Sequence, residues 1–139
     1  ENYRSSGVDA DAALDVQTLD RTAMELARAY HTVILASGRV DIITDGKRLV
    51  HVKNGNPQLS GITGTGCMLG ALTAAYLSVQ PDMDAAVTAC VVLGICGQLA
   101  ETDRCSGSFQ VNLMDKLSTV GKAEIERYMD REEIRNEEA

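Results

Sequence analysis

The run Thr63-Gly64-Thr65-Gly66-Cys67 is the part of this chain best suited to chemistry. It places two glycines, two hydroxyls and a thiol at the start of an uncharged, largely apolar stretch. Small residues let a backbone come close to a ligand. The first N–H groups of a helix have no internal acceptor, and the helix dipole favours negative charge there. Such a loop, opening a helix, is a candidate anion hole. Losing one such donor from a catalytic site costs about 3–4 kcal/mol of transition-state stabilisation. Cys67 adds a proton acceptor, because a helix N-terminus favours the thiolate form.

Two common glycine motifs do not fit. A Walker A loop needs Gly-Lys-Ser/Thr, and no Lys is present here. Gly64, Gly66, Gly70 and the later Asp84 resemble a dinucleotide fingerprint. However, no strand leads directly into the loop, and none precedes Asp84 to present it to a ribose. The residues alone leave two further readings open. The glycines also suit a closely packed helix cap, and Cys67 also suits a small buried hydrophobe.

The other cysteines, Cys90, Cys96 and Cys105, form no C-x-x-C pair with one another or with Cys67, which argues against structural zinc. Cys90 and Cys96 lie in an apolar helical stretch, so reduced core thiols in a cytoplasmic protein are expected. His31 and His51 read as helix-end and strand residues without a role. The formal net charge of −7 argues against a non-specific nucleic-acid binder, which needs a basic face. Residues 60–81 and 85–100 carry no charge. The first begins in a Gly/Thr loop and the second is short for a membrane span, so both read as buried helices rather than membrane segments. The start is polar, shows no signal peptide and has no initiating Met, so it reads like the middle of a longer chain.

The elements that must position the glycine loop follow from periodicity. Thr18 or Asp20 caps a helix to about Tyr30, with an apolar stripe of Leu19, Ala23, Leu26, Ala27 and Tyr30. Thr32–Ala36 is a continuous apolar run, which fits a strand buried on both faces. Val40–Thr44 and Arg48–Val52 flank Asp45-Gly46, a strong hairpin signal. Residues 53–63 read as loop. Helices are expected from Thr65 to about Val79, from Pro81-Asp82 to about Glu101, and from a Ser108 cap onward. From Gly121 the chain holds four basic and seven acidic residues and reads as a solvated helix or frayed tail. The expected class is α/β, with a sheet edged by an antiparallel hairpin and a helical C-terminal layer. Three short strands are too little sheet to cover two uncharged helices, so more chain or a partner is expected to cover them.

The segments GVDA (7–10), TVILASGRVDIITDG (32–46), NGNPQLSGITGTGCMLGAL (54–72) and GSFQVNLMDKLSTV (107–120) resemble the hydroxyethylthiazole kinases, of the ribokinase-like superfamily. They fall in order and at similar spacing over about residues 7–120, the C-terminal half of such an enzyme. Gly-Thr-Gly-Cys is the specific part, because most ribokinase-like enzymes carry a catalytic Asp where this chain has Cys67. The resemblance implies ATP- and Mg²⁺-dependent phosphorylation of the alcohol of 4-methyl-5-(2-hydroxyethyl)thiazole, in thiamine salvage. It implies that Ser37, Thr65 and Gly66 contact ATP, that Gly64 contacts the thiazole, and that Cys67 lies beside the acceptor hydroxyl. It also implies a homo-oligomer, a trimer in the family. The family's first half supplies most of the parallel sheet, the thiazole pocket and an Arg for the phosphates. The superfamily's Asn-x-x-Glu magnesium motif is absent here. Two alternatives remain: another ribokinase-like kinase, such as a hydroxymethylpyrimidine kinase, and a non-catalytic nucleotide-binding fragment. The usual Asp at position 67 argues against the first.

Overall fold

The computed structural model describes residues 15–134. The GVDA segment and the extreme C-terminus lie outside the described residues. Helix α1 (Val16–Tyr30) leads into strand β1 (Ile34–Ala36), then β2 (Asp41–Thr44) and β3 (Leu49–Val52). A 3-10 turn at Pro57–Gly61 follows, within the stretch expected to be plain loop. Then come α2 (Thr65–Leu77), α3 (Met83–Leu99), α4 (Ser106–Thr119), α5 (Lys122–Tyr128) and β4 (Arg131–Ile134). The sheet is antiparallel throughout, in the order β1-β2-β3-β4. This is the expected α/β class with its hairpin.

The hairpin forms where Asp45-Gly46 predicts it, with Thr44 opposite Leu49. Asp45 Oδ1 accepts the N–H groups of Lys47 at 2.8 Å and Arg48 at 2.7 Å. Gly46 takes a φ of +87°, and a Cβ there would also meet the Arg28 side chain at 2.7 Å. The alternation of β2 and β3 divides the core. Ile42 and Leu49 face α1 with Ala23 and Met24. Ile43, Val50 and Val52 face α3. Three layers result: α1, the sheet, and α3 with α2, α4 and α5 packed around it.

Several expectations are corrected. Helix α1 starts at Val16, because Asp20 does not cap it. Asp20 Oδ1 instead lies 2.7 Å from Nε2 of the buried His51 on β3. The buried stripe is Ala23, Met24 and Ala27, while Leu26 is 42% and Tyr30 is 72% exposed. The stripe is built on alanines because α1 lies close to the hairpin, where Arg28 Nε donates to Gly46 O at 2.7 Å. Strand β1, expected to be covered on both faces, is half-buried and lies at the sheet edge. Helix α3 needs no outside cover, since all but four of its residues are buried by this chain. Helix α2 does fit that expectation, because only Leu69 of its thirteen residues is buried. Helix α4 starts at Ser106, two residues before the expected Ser108, which lets Phe109 turn fully inward.

The largest departure is β4, which brings the acidic tail back to pair with β3. Lys53 Nζ meets Glu132 at 2.8 Å, and Arg48 Nε meets Glu133 at 3.0 Å. Such exposed pairs contribute little each. The firmer tie is Asn54, which is buried. Its Nδ2 donates to Gln98 Oε1 at 2.9 Å and to the Tyr128 carbonyl at 2.7 Å. Its Oδ1 accepts the Asp130 N–H at 2.8 Å. Gly94 makes room for it, since a Cβ there would come within 2.6 Å of the Asn54 Cβ and carbonyl oxygen.

Asn54→Ala leaves buried partners unsatisfied and is expected to lower stability by about 2–4 kcal/mol. Urea unfolding measures this, and a loss under about 0.5 kcal/mol, the scale of an ordinary surface change, would show that other contacts hold β4. Gly94→Ala overpacks the same point and is expected to lose about 1–3 kcal/mol in the same assay. Unchanged stability there would mean that the 54–59 segment yields freely.

Candidate active site: the Gly64–Cys67 loop

The loop after β3 is fixed before it reaches the glycines. Gln58 and Thr102 bond reciprocally, Nε2 to the Thr102 carbonyl at 3.0 Å and the Thr102 N–H to Oε1 at 3.1 Å. Gly97 of α3 accommodates Leu59, since a Cβ there would stand 2.7 Å from its Cδ1. The Thr65 hydroxyl donates to the carbonyls of Leu59 at 3.1 Å and Ile62 at 3.3 Å, tying the helix start to the 3-10 turn. Gly64 caps α2 with φ at +104°, a left-handed conformation that favours glycine.

The N–H groups of Gly64, Thr65, Gly66 and Cys67 donate to no carbonyl or side chain among the described residues. The Gly64 carbonyl is used, accepting from Met68 N–H at 2.9 Å. A Cβ built on Gly64 or Gly66 would meet nothing among the described residues within 4 Å. The loop therefore presents free donors to open space, with the positive end of α2 behind them. It can hold an anion there.

The expected site residues fall into place unevenly. Gly64, Thr65, Gly66 and Cys67 form one continuous turn. Gly66 and Cys67 are exposed, and the Cys67 thiol has no hydrogen-bond partner among the described residues. The Thr65 hydroxyl is committed to the fold, which leaves its N–H as the group it can offer a ligand. Ser37 is exposed on the turn between β1 and β2. Antiparallel pairing makes β1 end, β2 begin and β3 end at one edge of the sheet, so the Ser37 turn and the chain running to Gly64 leave from the same end. Asp84, which a dinucleotide fingerprint would make a ribose ligand, sits in the first turn of α3 and pairs with Arg48 at 3.2 Å. A cavity of about 420 Å³ at the start of α4, lined by Arg104, Ser108 and Asn112 among others, touches none of the five expected site residues.

Cys90 and Cys96 are buried in α3, as expected. Burial, and then the charge of Glu124, push the Cys96 thiol up to about 11. Burial, and then the neighbouring Asp41 charge, raise Cys90 further still. Both are protonated at neutral pH. Sequence reasoning assigned nothing to Asp41, Asn54 or the His51–Asp20 pair. The local signal was weak: Asp41 and His51 are single polar residues inside β-branched runs, and Asn54 follows the second run after Lys53.

Comparison with known proteins decides the family. The sequence model of the Hydroxyethylthiazole kinase family matches residues 1–123. The hydroxyethylthiazole kinase of Thermoanaerobacter pseudethanolicus is 40% identical over 125 residues, 87% of this chain and 47% of that one. That of Methanosarcina mazei is 35% identical over 137 residues, 96% of this chain and 51% of the other.

The chain belongs to the hydroxyethylthiazole kinase family.

The fold agrees. The structure of a hydroxyethylthiazole kinase protein from Pyrococcus horikoshii OT3 superposes with a TM-score of 0.81 at 34% identity, over 86% of this chain and 47% of that one. The chain spans about half the length of the family relatives it matches. Among the described residues no helix is long and apolar enough to cross a membrane.

The open space over Gly66 separates folding from binding. Gly66→Ala lies in the first turn of a helix, where Ala is favoured over Gly by about 0.5–1 kcal/mol. The variant is expected to melt at the same or a higher temperature. Its methyl group would stand where an anion approaches, so phosphate protection against thermal unfolding is expected to fall. A melting series with and without phosphate measures both. Full protection in the variant would move the anion elsewhere.

Proposed function

We propose that this chain carries the phosphate end of a kinase site that phosphorylates the hydroxyethyl alcohol of 4-methyl-5-(2-hydroxyethyl)thiazole with ATP, for thiamine synthesis. One observation carries the reading: four unused N–H groups open α2 beneath open space, in a chain of this family. The relatives, hydroxyethylthiazole kinases, suggest the acceptor.

Phosphoryl transfer through a loose transition state is mostly positioning and charge stabilisation. The N–H groups of Thr65 and Gly66 would hold the phosphate being transferred, and Gly64 would border the thiazole. Ser37, from the same end of the sheet, would contact ATP. Cys67, exposed at the first turn of α2, would lie beside the acceptor alcohol and, in its thiolate form, take the alcohol's proton as the alcohol oxygen bonds to the γ-phosphorus and ADP leaves. That proton leaves late, so a thiolate suffices where the wider superfamily uses a carboxylate.

Mg²⁺ does not fit the described residues of this chain. Among the described residues no cluster of three His, Cys, Asp or Glu side chains could hold a metal ion. We assign its ligands to the ATP phosphates and to the rest of a longer kinase, which would also supply the thiazole pocket. That remainder would cover the uncharged exposed face of α2 and pair with the free edge of β1. The full protein would then be a cytoplasmic homo-oligomer, and this chain alone would be nearly inactive. Well-placed reactants gain roughly 7–11 kcal/mol over free encounter, and the chain lacks half of the placement.

Phosphate transfer to the thiazole, assayed with Mg-ATP on the protein completed to family length, tests the reading. Cys67→Ala is expected to lower kcat by about two orders of magnitude, the lower end of what a positioned base contributes. ATP binding should change little, because the phosphate contacts are backbone. Cys67→Asp should keep activity. Full turnover by Cys67→Ala would return Cys67 to a packing role, and no transfer by the wild type would reject the kinase reading.

A further inference from the structure

A carboxylate turned into an apolar interior is costly unless hydrogen bonds hold it there. Asp41, the first residue of β2, is half-buried, so part of that cost applies to it. Its Oδ1 accepts the N–H of Gly38 at 3.0 Å. The buried Cys90 thiol, from α3, lies near the same carboxyl group and interacts with it. Burial raises the Asp41 pKa above its ordinary value, and the Gly38 amide and Cys90 thiol offset this only in part. No charged side chain among the described residues contributes. Because the raised pKa belongs to the folded state, the linked stability is complete in acid and is lost as pH rises through that value. At neutral pH the chain thus holds a charge that makes it less stable.

The hairpin does not require that charge. The pairings Ile34–Thr44, Leu35–Ile43 and Ala36–Ile42 set its register, and apolar burial of Ile42 and Ile43 holds it. A neutral acceptor could close the turn without the desolvation. What the carboxylate adds is a stronger, charge-assisted bond to one amide. That amide belongs to Gly38, next to the exposed Ser37.

We propose that Asp41 is a positioning residue for nucleotide binding: through the Gly38 N–H it fixes the turn between β1 and β2 so that Ser37 is already in place for ATP. The inference rests on the reading that Ser37 contacts ATP. A turn held in its bound conformation loses less entropy when the ligand arrives.

The test uses the protein completed to family length, with ATP titrated by calorimetry and the Gly38 amide followed by NMR. The Gly38 resonance is expected to move as pH falls, with a midpoint above the ordinary carboxylate range, and to stay still in Asp41→Asn. Asp41→Ala and Asp41→Val, which keep no acceptor, are expected to weaken ATP binding about tenfold, the order of one hydrogen bond to a charged acceptor. Asp41→Asn keeps an acceptor oxygen but loses the charge, and is expected to bind ATP a few-fold more weakly than wild type, between it and the acceptor-free variants, with a higher Tm at neutral pH and no gain in acid. A purely structural role predicts the reverse for the Asn variant's Tm. Wild-type ATP affinity in both Asp41→Ala and Asp41→Val, alongside weakened binding in Ser37→Ala, would overturn the positioning role and leave the Ser37 contact standing. Failure of both acceptor-free variants to fold would make Asp41 structural and overturn it as well. If Ser37→Ala binds ATP normally, or the wild type binds none, the ATP reading of this turn fails and takes the proposal with it.

Discussion

The side-chain amide of Asn54 closes three parts of the chain on one another. It stands where β3 ends, and it bonds to α3 through Gln98 and to the returning tail through Tyr128 and Asp130. Beside it, Lys53 N–H donates to the Asp130 carbonyl at 2.9 Å. An amide suits this point because it offers two donors and an acceptor without charge. Placing it there requires the backbone of α3 to come very close, which Gly94 permits. The pairing of β4 on the sheet and the course of the loop after β3 both depend on this contact.

The same constraint reaches the candidate site. From Asn54 the chain has ten residues in which to arrive at Gly64. Within them Asn56 Oδ1 caps the 3-10 turn through Gln58 N–H at 2.9 Å, Gln58 binds the turn between α3 and α4, and Leu59 lies on Gly97. The Thr65 hydroxyl then spends its one proton on the 3-10 turn. These bonds hold the loop, and the N–H groups of Gly64 to Cys67 stay unused. A preorganised donor array needs this division, because donors tied to the fold could not turn to a ligand without breaking bonds.

Much of the fold was legible where the signal was local. Asp45-Gly46 between β-branched runs gave the hairpin. Asp82 gave the start of α3, where its Oδ1 caps the Asp84 N–H at 2.9 Å. Gly64 gave the start of α2. The misses were non-local. Arg131–Ile134 holds three charged residues and one apolar one, so nothing within it reads as a strand. It becomes one because β3 offers a free edge, with Glu132 opposite His51 and Glu133 opposite Val50. Asp20 looked like a helix cap because its carboxylate could reach nearby amides, and only the tertiary fold brings His51 to it instead.

The candidate site was legible for a different reason than the core. A helix that buries one residue in thirteen cannot owe its glycines to close packing within this chain, since Gly66 and Gly70 have nothing near them. Gly94 and Gly97 on α3 show the opposite case, where each glycine is explained by an atom that a methyl group would strike. Sequence alone could not separate these two uses of glycine, because both helices read as uncharged and apolar. The structure separates them by burial. Close packing accounts for the glycines of α3, and the backbone exposed at Gly64 and Gly66 is left to be explained by what binds it.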